Sequence, residues 1–219
     1  MNALGEILHL LRKELLLEWR TRYAIGGILL YVLSTVFIVY AAFIRVEPAT
    51  WNTLYWVILL FAAVNAVTKS FIRENSARQL YYYQMAHPLH VLAAKIIYNV
   101  GLLALISLLT WGAMAWLTGN PVKDYRQFIL ALWLGSAGFA ITFTFISAIA
   151  AKADNSATLM AILSFPLVIP IVMTLTKLSA NALRLMNDSN TDQDILVLVA
   201  IDMVSLGMAI LLFPFLWRD

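Results

Sequence analysis

The chain has 219 residues, 62% of them hydrophobic and 12% charged, with a formal net charge of +3 and no cysteine. Soluble domains carry about 45–50% apolar and about 25% charged residues, so lipid must be the solvent for much of this surface. The small, unclustered positive charge argues against nucleic acid as a partner. The lack of cysteine excludes a disulfide framework, a thiolate metal site, a C-x-x-C redox pair and a c-type haem attachment motif.

Residues 2–22 read as an amphipathic helix. Leu4, Leu8, Leu11, Leu15 and Trp19 form a stripe at helical spacing, and Glu6, His9, Lys13 and Arg20 lie mostly away from it. The pattern suits a helix in the membrane interface, or one packed on the bundle from the cytosol. The charges at Arg12, Lys13, Glu14, Glu18, Arg20 and Arg22 stand where a signal peptide would need its apolar region, so no removable leader is expected.

Six apolar runs follow, at about 24–44, 51–71, 94–118, 127–150, 157–177 and 195–216. Each matches the roughly 20 residues needed to span a bilayer, and each is far longer than the roughly 10-residue strands of a membrane barrel. The expected fold is therefore an all-α polytopic domain covering residues 1–219, with six transmembrane helices and an N-terminal interfacial helix. With the N-terminus inside, ten Lys and Arg residues fall on the inner side and five on the outer, which places both termini in the cytoplasm. Tyr23, Trp51, Trp116, Tyr125 and Trp217 stand near the proposed interfaces and suit an aromatic belt.

Between the second and third runs lies the longest inner connection, Arg73–Lys95, and residues 73–93 are expected to form a cytoplasmic docking segment. Arg73, Glu74, Arg78 and Gln79 offer charge and hydrogen bonds, while Tyr82 and its neighbours offer apolar area of the kind found in binding hot spots. His87 and His90 form H-x-x-H, but Pro88 lies between them and no third ligand is apparent, so a loop or interface role fits better than metal or haem ligation. Pro88 is expected to end or bend any helix in the segment before the third span begins.

The fourth run carries Ala131, Gly135, Gly138 and Thr142 on one face, a spacing that permits close helix contact. Pro166 and Pro170 interrupt the fifth run and imply a kink, fixed or moving. In the outer loop Asp188, Asn190, Asp192 and Asp194 imitate a calcium loop. Gln193 stands at the glycine position and Val199 at the twelfth, so a capping box from Thr191 to Asp194 explains the pattern better. Asp202 is the one acid inside a span, either a pathway contact or a hydrogen-bonding group within the bundle.

No G-x-x-x-x-G-K-[ST], H-E-x-x-H or G-x-S-x-G motif occurs. No catalytic residue, resident cofactor or metal site is expected, and ATP-dependent work would fall to a partner.

The order of interfacial helix, six spans and a long inner loop after the second span resembles the membrane subunit of an ABC-2-type exporter. Arg78–Lys95 (RQLYYYQMAHPLHVLAAK) and Phe165–Pro170 (FPLVIP) make the resemblance narrower. Over essentially its whole length the chain resembles the haem exporter protein B (CcmB) family of cytochrome c maturation. Two local departures are Ile25-Gly26, where other members often carry Asn-Pro, and Glu74–Gln79, where many carry an acidic-Gly-x-Leu-Glu run. The resemblance implies a permease subunit in the bacterial inner membrane, driven by a cytosolic ABC ATPase. It implies other cytochrome c maturation membrane subunits as partners and haem as the substrate of the complex, and it leaves a homodimer open. An ABC-2 permease for lipid, drug or polysaccharide, or an intramembrane scaffold or enzyme, are the alternatives.

Overall fold

The computed structural model describes residues 3–20, 23–67, 71, 87–152, 156–185 and 191–218. They form seven helices: α1 (Ala3–Arg20), α2 (Tyr23–Ala42), α3 (Pro48–Val67), α4 (Pro88–Thr118), α5 (Tyr125–Ala150), α6 (Ser156–Ala182) and α7 (Thr191–Arg218). No strand occurs among the described residues. Helices α3 to α7 are each long and apolar enough to cross a membrane, and α2 contributes a shorter apolar stretch, Gly26–Ala42. A helix satisfies its own backbone groups in hydrocarbon, which is why runs of this length fold this way.

Helix ends follow local chemistry. Helix α4 begins at Pro88, earlier than the third apolar run suggested. Proline at the first helical position loses no hydrogen bond, and its ring sets a helical φ. Pro88 therefore starts this helix; the segment before His87, in which it was expected to end or bend a helix, lies outside the described residues. His87 before it is extended, with φ −70° and ψ 130°, as a residue preceding proline should be. The 31 residues of α4 give about 46 Å at about 1.5 Å per residue, well beyond a hydrocarbon core of about 30 Å. Gly119 stops the helix at φ 87°, a left-handed value that suits glycine.

The next turn joins α5 to the end of α6. Asp124 caps α5 by accepting from the Gln127 amide at 3.1 Å. The Lys123 and Asp124 amides both donate to the Ala182 carbonyl, at 3.1 and 2.9 Å. Helix α6 closes with the Leu185 amide on Ala180 O and the Arg184 amide on Asn181 O, a Schellman arrangement with Arg184 at φ 56°.

Helix α5 is the axle of the bundle and packs against α3, α4, α6 and α7. Every residue from Gly138 to Ala148 is buried. Two glycines let neighbours approach it closely. A Cβ on Gly135 would lie 2.8 Å from the Trp56 ring, and one on Gly138 would lie 2.5 Å from Asp202 Oδ1. Ala131 and Thr142 are buried on the same helix, so the small-residue face is a contact surface.

Trp51 departs from the aromatic-belt expectation. It is 1% exposed and stacked on Tyr55 with centroids 5.6 Å apart. Its indole Nε1 donates to Thr118 Oγ1 at 3.1 Å. Tyr55, Trp56 and Phe128 complete a buried aromatic knot beside it. Trp116 and Tyr125 do point outward, at 85% and 51% exposure. The side chains of Tyr23 and Trp217 lie outside the described residues.

Pro166 and Pro170 both lie on the outward face of α6, which runs unbroken through them. Val168 and Ile171 face inward. The missing amides are therefore on the side away from the core, where no packing contact is lost. Pro214 lies within α7, half-buried.

Candidate functional site

The candidate site lies at the end of the bundle where α4 begins. Of the residues expected to form the docking segment, Arg73, Glu74, Arg78, Gln79 and Tyr82 lie outside the described residues. His87 and Pro88, at its far end, are described, and so is Phe71 just before it.

Helix α1 is bound to this end by its polar side. Glu6 accepts from the His87 amide through Oε1 at 3.0 Å, and its Oε2 lies 2.9 Å from His90 Nδ1. His87 forms no side-chain cap of its own, so α1 supplies the cap that α4 lacks. A carboxylate at a helix N-terminus also meets the positive end of the macrodipole. The His87 amide, and after it the His90 ring, hold the Glu6 carboxyl below its ordinary range.

Two turns further along, Glu14 Oε1 accepts from Lys95 Nζ at 3.2 Å and from Lys13 Nζ at the same distance. Lys95 is 2% exposed, and its ammonium stands 4.7 Å from the centroid of the Phe71 ring. Burying a lysine is costly unless it is paired, and Glu14 and the ring face together accommodate the charge. Phe71 packs on Phe213 of α7, with centroids 5.5 Å apart, and its amide approaches Ser147 Oγ of α5 at 3.4 Å. Val91, Leu92, Ile96, Phe145 and Ala209 surround it in an apolar cluster that Leu10 of α1 joins.

The apolar stripe of α1 points away from the bundle. Leu4, Leu8, Leu15 and Leu16 are 59–75% exposed. Glu6 and Glu14 therefore turn toward the bundle while these four leucines turn outward, the reverse of what an amphipathic helix on a soluble protein shows at those positions.

The His87 and His90 rings lie tilted to one another with centroids 5.0 Å apart. Among the described residues no group of three His, Asp or Glu side chains is arranged to hold a metal ion. Asp202 lies far from this end in sequence, 7% exposed on α7 and turned onto Gly138 of α5. Among the described residues its Oδ1 has no hydrogen-bond partner, and neither does the buried Thr142 hydroxyl one turn along α5.

At the opposite end, Ser179 Oγ accepts from Trp56 Nε1 at 2.7 Å and lies 2.7 Å from Asn52 Oδ1. Asn52 Nδ2 donates to Thr176 O at 2.8 Å. Lys177 and Asp194 join α6 to α7 at 3.0 Å. This pair corrects the capping box expected from Thr191 to Asp194. Thr191 is the first helical residue, and its hydroxyl accepts from Gln127 Nε2 at 3.4 Å, while Asp194 is drawn to an ammonium on the next helix.

A family model described as CcmB protein matches residues 5–216, from the start of α1 to the last turns of α7. The chain belongs to the CcmB family. With its long apolar helices this makes it a multi-pass membrane protein, and the family is that of the haem exporter component in cytochrome c maturation. No curated protein matches the chain. Sequence reasoning on this CcmB-family chain missed the Glu6–His90 and Glu14–Lys95 contacts, since each joins residues more than 80 apart. The signal available was the placing of two acids eight residues apart on the polar side of α1.

Proposed function

We propose that this chain is the membrane-spanning permease subunit of an ABC transporter complex with an ABC-2-type fold. The complex acts in haem delivery or release for cytochrome c maturation, driven by a separate cytosolic ATPase. The family match over nearly the whole chain carries this reading. The absence of a phosphate-binding loop from the sequence supports a partner as the source of ATP hydrolysis, so the subunit itself has no enzymatic role.

In this reading α2 is the sixth span, beside α3 to α7. Both termini are cytoplasmic in the bacterial inner membrane, and α1 lies at the cytoplasmic interface with its leucines toward lipid. The segment 73–93 is the surface on which the ATPase docks, with Arg73, Glu74, Arg78, Gln79 and Tyr82 as contacts and His87 and Pro88 at its junction with α4. Asp202 and the prolines at 166 and 170 are the intramembrane points at which the bundle can respond. Haem is cargo of the complex, other cytochrome c maturation membrane subunits are partners, and this subunit holds no resident cofactor. A partner ATPase can shift the bundle only if its states contact the bundle differently, and the longest inner connection is the best lever available.

Reporter fusions at Asn2, Pro48, Gln84, Asn120, Asn155, Asn187 and Asp219 test the arrangement. Alternation starting from inside is expected, and an external signal at Gln84 overturns it.

A further inference from the structure

The two contacts between α1 and α4 share a register. Glu6 to the His87 amide and Glu14 to Lys95 each span a separation of 81 residues. Equal separation means that α1 and the first turns of α4 run side by side in the same direction. Eight residues on each helix cover about 12 Å, so α1 is fastened at two points roughly that far apart. A single contact would leave it free to pivot. Two in register fix both its position and its direction along α4.

The two contacts also stand at the flanks of the docking segment. Glu6 holds His87, where the segment passes into α4. Glu14 holds Lys95, whose ammonium lies over Phe71, where the chain leaves α3 for the segment. Phe71 is in turn packed on α7 and near Ser147 of α5. Helix α1 therefore reaches both ends of the segment through described side chains.

We propose that Glu6 and Glu14 are positioning residues which make α1 and the start of α4 a single body, so that a displacement delivered at the segment is passed to α4 and not absorbed by α1 swinging away. The inference rests on the ATPase-coupled function proposed above. Glu14 carries the larger share, because it places a carboxylate oxygen 3.2 Å from the buried ammonium of Lys95. Glu6 sets the direction of α4 by capping its first turn from outside the helix. Neither residue contacts haem or nucleotide in this account.

The test uses the assembled complex, reading ATP hydrolysis, haem attachment to a c-type cytochrome, and the amount of complex recovered. Glu14→Gln is expected to leave assembly and ATP hydrolysis in place and to lower cytochrome maturation per ATP consumed. The swap Glu14→Lys with Lys95→Glu is expected to restore that ratio. The chain has no native cysteine, so Glu6→Cys with His90→Cys can be joined by a short bifunctional thiol reagent. Joining them in the Glu14→Gln background should recover the lost coupling, a result that a merely structural role would not produce. An unchanged ratio in Glu14→Gln overturns the proposal. So does inactivity of the joined pair in the otherwise unaltered chain, since α1 would then have to leave α4 during turnover. If Glu14→Gln fails to assemble and the charge swap fails with it, the register pairing is not what positions α4, and the proposal falls. A complex whose ATP hydrolysis does not depend on this chain would instead defeat the ATPase-coupled reading.

Discussion

Asp202 and Gly138 are fitted to one another across the α5–α7 contact. The carboxylate Oδ1 occupies the space that a side chain on residue 138 would need, and a Cβ there would stand 2.5 Å from it. The contact sits in a buried stretch of α5, so a side chain added at residue 138 would have to displace the carboxylate.

Gly138→Ala should therefore destabilise the bundle by about 1–3 kcal/mol, the usual cost of overpacking. Adding Asp202→Ala should recover most of the loss, because the two changes act on one contact. Asp202→Asn should preserve assembly, and Asp202→Lys should not, since the longer charged chain has no space against α5 and is expensive inside a membrane. Thermal unfolding of the purified protein checks all four. Additive losses in the double variant would show that the two residues do not share the contact.

Ser179 joins α3 to α6 through Trp56 and Asn52. Hydrogen bonds between membrane helices average only about 0.6 kcal/mol, because the unfolded chain also finds partners in lipid. Ser179→Ala leaves both the Trp56 indole and the Asn52 amide short of a partner within a tight core, and a stranded buried group costs about 1–3 kcal/mol. Ser179→Ala should therefore fall nearer that range than the membrane average. Denaturant unfolding in mixed micelles measures it, and a loss well under 0.6 kcal/mol would show that the network relaxes at no cost.

The capping of α4 by Glu6 has a pH signature. The folded-state carboxyl is held below its ordinary value of 4.5. A lowered acid contributes stability that is fully present above the ordinary value and is lost as pH falls through the lowered one. Docking of α1 should thus be unchanged by pH near neutrality as far as Glu6 is concerned, and should loosen under strong acid. Spin labels on Leu4→Cys and Leu89→Cys report the separation, and Glu6→Gln should remove the acid-dependent part of the change. A separation that changes identically with and without Glu6 would assign the response to other groups.

Much of the architecture was legible because lipid imposes one demand on every span. The charge-free stretches inside 94–118 and 127–150 fall within α4 and α5 for that reason. The ends were less legible, since apolar content alone does not mark where a helix starts. Pro88 begins α4 and Pro48 begins α3, both by the first-turn rule for proline. Trp51 was expected in the aromatic belt and is buried instead, because a tryptophan near a helix end reads alike whether it faces lipid or the core. Lys95 counted as an inner-face cation, and its burial depends on Glu14 and Phe71, which are near only in three dimensions. Asp202 was legible as an unusual residue, but its fit to Gly138 needed the relative rotation of α5 and α7.

Single cysteines at positions 76, 79, 82 and 86 test the docking segment directly, against a background with no native cysteine. They should crosslink to the partner ATPase and respond to nucleotide. No crosslink from any of them in an assembled, active complex would move the docking surface elsewhere.

The most direct measurement of the central claim is covalent haem on c-type cytochromes in the native bacterium with this chain deleted and then restored. The account predicts that deletion abolishes haem attachment while the partner ATPase is still made, and that the chain supplied in trans restores it. Mature c-type cytochromes at undiminished levels in the deletion strain would contradict it.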